Sequence, residues 1–238
     1  GKPYIERITC KFFESEARSI EAYNDGDIDS INVISAANID ELGSSNRVTI
    51  HELHLPRYFG VFFNQNKSRP LSEKNVRLAL NYATNKTQLV EKVLDGKGSI
   101  VNSPLLPGIL DIPNTVKAQA FDLDMAKKLL DDAGWKLGQD GVRTKVLKGN
   151  DKNGQDETVR LEIRITTSNL PELTAIAEEI KQQWAQAGVA VTTDILSISE
   201  IHQAIKDRDY TALLFGETLG SDPDPFSFWH SSQKKDPG

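Results

Sequence analysis

Cysteine is nearly missing from this chain. Cys10 stands alone among 238 residues, so no internal disulfide can form and no paired-cysteine redox or zinc motif is present. Set among Ile8, Phe12 and Phe13, it is expected to be a buried structural thiol. Long apolar runs are missing too. No stretch reaches the roughly 18 residues that a membrane-spanning helix needs, and no signal peptide is visible. A basic excess is also lacking. The net charge is −6, and no Lys/Arg run lies beside aromatics, which excludes an ordinary nucleic-acid binder. There is no GxSxG, no HExxH and no glycine-rich phosphate loop, so the usual catalytic signatures are absent and an enzyme is not expected.

What is present is the composition of a globular protein. Hydrophobic residues make up 38% and charged residues 26%, enough apolar material to build a core without staples. The chain opens on Gly1, has Met125 as its only methionine and runs out shortly after Phe226, Phe228 and Trp229. It is therefore expected to be a segment of a longer polypeptide, with any export signal outside it.

Alternating apolar and polar residues predict strands over 4–13 and 28–34, with a helix over 14–24 between them. That helix would turn Ala17, Ile20 and Tyr23 inward and stop at Gly26. A helical turn is expected at 39–42, and strands at 48–55 and 59–63. This β-α-β order suggests a mostly parallel sheet covered by helices. Beyond it the pattern is richer in helix. Val76, Ala79, Leu80 and Ala83 form one stripe, and Asn85 with Gln88 marks the start of a helix over 86–94. A proline-rich loop spans 103–113. Asp122 caps a helix whose stripe is Ala126, Leu129, Leu130 and Ala133. Asn153-Gly154 signals a hairpin ahead of a strand through Val159, Leu161, Ile163 and Ile165. The clearest helix covers 171–187, on Leu173, Ile176, Ala177, Ile180 and Trp184, between Pro171 and Gly188. A strand over 189–195, a helix over 198–207 and a buried strand over 210–215 complete the pattern. The best boundary lies near 56–72.

Four histidines offer little. His51 and His54 point to opposite faces of a regular strand, and His202 falls on a solvent face. His230 follows Trp229 and lies near Asp222 and Asp224, in a spacing that matches no standard metal site. The segment Gly220-Ser221-Asp222-Pro223-Asp224-Pro225 is the best candidate for a ligand-facing loop. It follows a buried strand, and its prolines limit the entropy lost on binding. Spacing alone favours a rigid surface turn.

Several segments, in order, resemble the extracellular solute-binding proteins of family 5, the oligopeptide-, dipeptide- and nickel-type components of ABC importers. They are Tyr4-Ile5-Glu6-Arg7-Ile8, Ala22-Tyr23-Asn24-Asp25-Gly26-Asp27-Ile28-Asp29 and Phe63-Asn64. The run from Pro70 to Ala83 is similar to the family's hallmark Pro-Phe-x-Asp-x-Arg-Val-Arg-x-Ala-x-x-x-Ala. The run from Ala126 to Trp135 resembles its Ala-Lys-x-Leu-Leu-x-x-Ala-Gly-Tyr, and Asp222–Pro225 resembles its Asp-Pro motif.

The resemblance implies an α/β, periplasmic-binding-protein-like lobe (type II, class C). A mixed sheet flanked by helices would form part of an incomplete two-lobe protein. Residues 1–58 would belong to the first lobe and 59–238 to the second, truncated before the return to the first. The function implied is capture of a peptide or peptide-sized organic solute outside the cytoplasmic membrane, in the periplasm or from a lipid anchor, for ABC permease subunits. Alternatives are a nickel or metal-chelate carrier, a ligand-sensing domain and, last, a metal-assisted hydrolase using Asp222, Asp224 and His230. A monomer without cofactor, resident metal, nucleic-acid partner or membrane insertion in this segment is expected. The implied ligand-side residues are Phe62, Asn64, Glu217, Thr218, Leu219, Ser221, Asp222 and Trp229. Peptide binders of the family hold the ligand's ammonium with an Asp three residues before the acidic-Pro pair. Here that position is Ser221, which points to a less cationic, or simply different, ligand unless Glu217 supplies the charge instead.

Overall fold

The computed structural model describes residues 4–43, 48–51, 57–103, 106, 118–147, 156–218, 226 and 230–233. The chain divides into two compact units, Gly1–His54 and Leu55–Gly238.

The first unit holds one helix, α1 (Glu16–Asn24), and a 3-10 segment, Ala36–Glu41. Ser15 caps α1 by accepting from Arg18 N–H, and Gly26 turns the chain away at φ +81°. The Glu16 carboxylate gathers the following loop. It accepts from Ser35 N–H, from the Ser35 hydroxyl at 2.9 Å and from the Asn38 amide at 3.1 Å. Asn24 ties the helix end to the 3-10 segment through Glu41 O and Gly43 N–H.

Three expectations fail in this unit. Residues 4–13 and 28–34 form no strand, and neither do 48–51; residues 52–55 of that third expected strand lie outside the described residues. Alternation prepares a strand, but a strand exists only with a hydrogen-bonded neighbour, and no described residue of this unit supplies one. Cys10, within the first of these segments, is exposed rather than buried. The inner face of α1 is Ile20 and Ala22, with Ala17 exposed.

The second unit opens with β1 (Arg57–Phe63), followed by the helices α2 (Arg69–Ser72), α3 (Lys74–Tyr82), α4 (Lys86–Val93) and α5 (Leu123–Asp132). A small antiparallel sheet follows: β2 (Lys136–Leu137), β3 (Arg143–Leu147) and β4 (Glu157–Arg160). Then come β5 (Glu162–Ser168), α6 (Pro171–Ala185), β6 (Ala190–Leu196), α7 (Ile198–Asp207) and β7 (Ala212–Thr218). The main sheet has the order β1-β7-β5-β6. Its β6, β5 and β7 are parallel, and β1 is an antiparallel edge. The sheet is thus mixed, and the parallel part comes from the second unit rather than the first.

Leu161 explains why one alternating stretch became two strands. Its N–H donates to Arg143 O of the small sheet at 2.8 Å, and its carbonyl accepts from Ala190 N–H beside the main sheet at 2.9 Å. The pair β3–β4 brackets residues 148–156, where a hairpin was expected. The Asn153-Gly154 turn itself lies outside the described residues, as does most of the proline-rich segment 103–113.

The core lies between the main sheet and α3, α5 and α6. It joins Val76 and Leu80, Ala126 and Leu130, Ile163 and Ile165, and the inner face of α6 from Leu173 to Trp184. Trp184 is 2% exposed; its indole N–H donates to the Thr84 hydroxyl at 2.9 Å and its ring sits 6.3 Å from Phe63. The chain steps from β5 out to β6 and then back past β5 to β7. Right-handed crossovers therefore put α6 and α7 on opposite faces. On the α7 side Ile201 is fully buried.

Candidate functional site

The three parallel strands of the main sheet all end at one edge, at Ser168, Leu196 and Thr218. The antiparallel β1 brings its first residue there, since Arg57 pairs with Thr218. Helices that follow parallel strands start where those strands end, so α6 and α7 begin at the same edge. Ligands of open α/β sheets meet this edge, beside the point where strand order reverses. The two helix starts differ. Ser197 and Glu200 close α7 with a capping box, whereas no side chain caps α6. Hydrogen bonds from the Ser197 side chain and backbone hold the Glu200 carboxyl below its ordinary pKa.

One corner of the edge is tightly built. Phe59, Val61 and Phe63 pack on the core, so the odd positions of β1 face α6. Phe59 pairs across the strands with Gly216, and a Cβ on Gly216 would stand 2.7 Å from Phe59 Cε1. The glycine therefore makes room for the ring against β7. Arg57 lies over that ring, 4.8 Å from its centroid, with Nη2 3.9 Å from Glu172 Oε2 in the first turn of α6. Thr167 donates to Leu214 O at 2.9 Å, and Ser168 is fully buried with its hydroxyl unpaired among the described residues. Gly216→Val is expected to push Phe59 aside and cost about 1–3 kcal/mol, as overpacking does. Urea unfolding with a lowered midpoint and unchanged slope is the check.

The structure separates the residues expected from sequence. Thr218 is exposed at the edge, and the Glu217 backbone pairs with Tyr58 beside it. Leu219, Ser221, Asp222 and Trp229, with the rest of the Asp-Pro-Asp-Pro segment, lie outside the described residues. Phe62 is half-buried, opposite Leu213, well along β1. Asn64 lies past the far end of β1, roughly 20 Å from the edge at strand spacing. Its amide group is engaged locally: Nδ2 donates to Arg208 O at 3.2 Å, Oδ1 accepts from Asn66 N–H at 3.2 Å, and its backbone N–H donates to Thr211 O at 2.8 Å. Arg57, Phe59, Gly216 and Glu172 were not anticipated. The alternation Arg57, Phe59, Val61, Phe63 was readable, but the strand opposite β1 was not.

His51, His202 and His230 are exposed, and His54 lies outside the described residues. Ser232 N–H donates to His230 Nδ1 at 3.2 Å, and the ring stacks on Phe226 at 4.7 Å. Among the described residues no group of three His, Cys, Asp or Glu side chains could hold a metal ion, and no helix is long and apolar enough to cross a membrane.

A mixed sheet with helices on both faces and parallel strands ending together defines a periplasmic-binding-protein-like lobe. The family is fixed by sequence: the chain belongs to the bacterial extracellular solute-binding proteins, family 5 Middle, whose family model matches residues 1–238. It is 27% identical over 240 residues to the oligopeptide-binding protein AppA of Bacillus subtilis, covering 99% of this chain and 42% of that protein. It is 28% identical over 235 residues to the nickel-binding periplasmic protein of Escherichia coli, covering 97% and 43%. The solved structure of AppA in complex with a nonapeptide superimposes with a TM-score of 0.75 at 26% identity, over 92% of this chain and 42% of that one. The chain thus spans about two fifths of the length of these relatives. Members of the family are solute-binding proteins of extracytoplasmic space.

Proposed function

We propose that the chain is part of the substrate-binding component of an ABC importer, one that captures a peptide or peptide-sized organic solute outside the cytoplasmic membrane and delivers it to permease subunits. The observation that carries this reading is the match to an oligopeptide-binding protein along 99% of the chain. In this reading the first unit is part of the first lobe, the second unit, which holds all of β1, is the second lobe, and closure of the lobes around the solute excludes water. The solute lies against the strand-end edge, on Glu217, Thr218, Leu219, Ser221, Asp222 and Trp229. Phe62 and Asn64 hold β1 in place instead. The protein works as a monomer, in the periplasm or anchored by lipid to the outer face of the membrane.

Thermal melting of the intact protein with pools of tri- to nonapeptides tests the reading. A bound peptide at a hundred times its Kd stabilises the native state by about 2.7 kcal/mol, so the melting temperature is expected to rise. A rise with nickel–histidine and none with any peptide pool would overturn it.

That second outcome belongs to a carrier of nickel or a metal chelate, which the 28% identity to the nickel-binding protein favours. His230→Ala discriminates further: a nickel carrier using that ring loses metal, and a peptide carrier is unaffected.

A further inference from the structure

Arg57 holds a place that the fold itself does not explain. It is the first residue of β1, opposite the last residue of β7, and the chain runs from Thr218 directly into the candidate ligand loop. Most arginines of the second unit are committed to hydrogen bonds. Arg143 donates three side-chain bonds of 2.8 Å or shorter, Arg77 bonds two helix-end carbonyls, and Arg160 holds Asp140 at 2.6 Å. The Arg57 guanidinium makes no hydrogen bond to any described residue. Its nearest carboxylate, Glu172, stands 3.9 Å away, and both side chains are over 40% exposed, at 41% and 46%. An exposed pair at that separation is weak.

The cation is nevertheless well placed. It lies on the Phe59 ring, and that ring is seated against Gly216, so the head group has a rigid platform. The start of α6 adds to the same corner. Its 15 residues carry no side-chain cap, and their dipole presents partial positive charge toward the edge. A planar fork of unused N–H donors, held beside a positive helix end, suits a carboxylate bound through two parallel bonds. Glu172, in contact but not hydrogen-bonded, marks where such a group would sit.

Building on the solute-binding role proposed above, we propose that Arg57 receives a carboxylate of the solute, with Glu172 giving way to it. The ligand class this edge selects is a peptide with a free carboxylate, and Arg57 sets that selectivity.

The test uses the intact protein and two probes, a random pentapeptide pool with free C-terminal acids and the same pool as C-terminal amides, both without Asp or Glu. A third pool, amides carrying one Asp or Glu, separates a side-chain carboxylate from the terminus. Wild type is expected to prefer an acid-bearing pool. Arg57→Gln removes that preference, weakening acid binding by about tenfold to a hundredfold, the worth of a charge-assisted hydrogen bond, while amide affinity stays unchanged. Unchanged amide binding also reports an intact fold. Glu172→Gln tightens acid binding. Equal loss for acids and amides in Arg57→Gln, or no loss for either, overturns the proposal. If wild type binds no peptide, the peptide reading fails by itself, and Arg57 is then judged with nickel–histidine against nickel–histidinamide. A loss in Arg57→Gln confined to the histidine chelate supports the carboxylate role. Equal loss, no loss, or no binding of either chelate overturns it.

Discussion

Replacing Arg143 with methionine is expected to cost about 2–6 kcal/mol of stability, at about 1–3 kcal/mol for each of the two buried carbonyls that lose their donor. Arg143 is 4% exposed and joins three parts of the second unit. Its Nε donates to Ala187 O at 2.8 Å at the end of α6, and its Nη1 donates to Trp135 O at 2.7 Å and to Asp131 Oδ1 at 2.6 Å at the end of α5. Its own backbone N–H donates to Gly188 O at 2.8 Å, and its carbonyl accepts from Leu161 N–H at 2.8 Å. Methionine fills much of the volume but leaves two inward carbonyls without donors, and that loss dominates. The Asp131 bond contributes less, because Asp131 is half exposed. Lysine rescues poorly, since it lacks the fork that reaches both carbonyls at once. Gly188 makes room for the stem: it sits at φ +85°, and a Cβ there would lie 2.8 Å from Arg143 Cγ. Equilibrium urea unfolding at neutral pH reads the loss. The Arg143 hydrogen bond holds the Asp131 carboxyl below its ordinary pKa. A depressed folded pKa makes the Asp131 contribution complete above the unfolded value of about 3.9, and the contribution is lost as pH falls through the folded value. Asp131→Asn therefore flattens the acid limb of the stability profile without altering its shape at neutral pH.

Trp184→Ala is expected to cost about 3–5 kcal/mol through the cavity it opens. The indole joins α6 to β1 through Phe63 and to the α3–α4 corner through Thr84. Next to it in the chain, the amide of Gln183 accepts from Asn85 N–H at 2.8 Å and donates to Glu179 at 3.2 Å. Loss of the indole therefore loosens a helix that also carries a buried polar network. Trp184→Phe keeps most of the volume and removes only the indole bond, since the Thr84 hydroxyl still donates to Leu80 O at 2.7 Å, so a smaller loss is expected. Denaturant midpoints of the two variants separate packing from hydrogen bonding.

The helices of the second unit were legible because their signals are local. Asp122 caps α5, Asn85 caps α4, and Gly96, Gly134 and Gly188 take the positive φ at which three helices stop. The stripe on α6 needed only the 3.6-residue period. Strands were legible only where a partner exists. Alternation in 4–13 matched that in 159–165, yet only the latter found neighbours, and it divided between two sheets at Leu161. Nothing local separates those cases. The site followed the same rule. That ligand chemistry lies where β7 ends could be argued from sequence, because β7 reads as a buried parallel strand. That Arg57 stands beside it could not, since the pairing Arg57 with Thr218 joins residues 161 apart in sequence. The place of Asn64 was hidden for the same reason: it adjoins a well-read strand, but antiparallel pairing sets it at the end opposite Arg57.

In the proposed function, solute meets the second unit at the strand-end edge. Photo-crosslinking a pentapeptide pool that carries photo-leucine to the intact protein, followed by peptide mapping, tests it most directly. Crosslinks are predicted on Arg57–Phe59 and within 218–229. Crosslinks clustered on Asn64, Ala212 and Glu162, at the opposite end of the same strands, would contradict it.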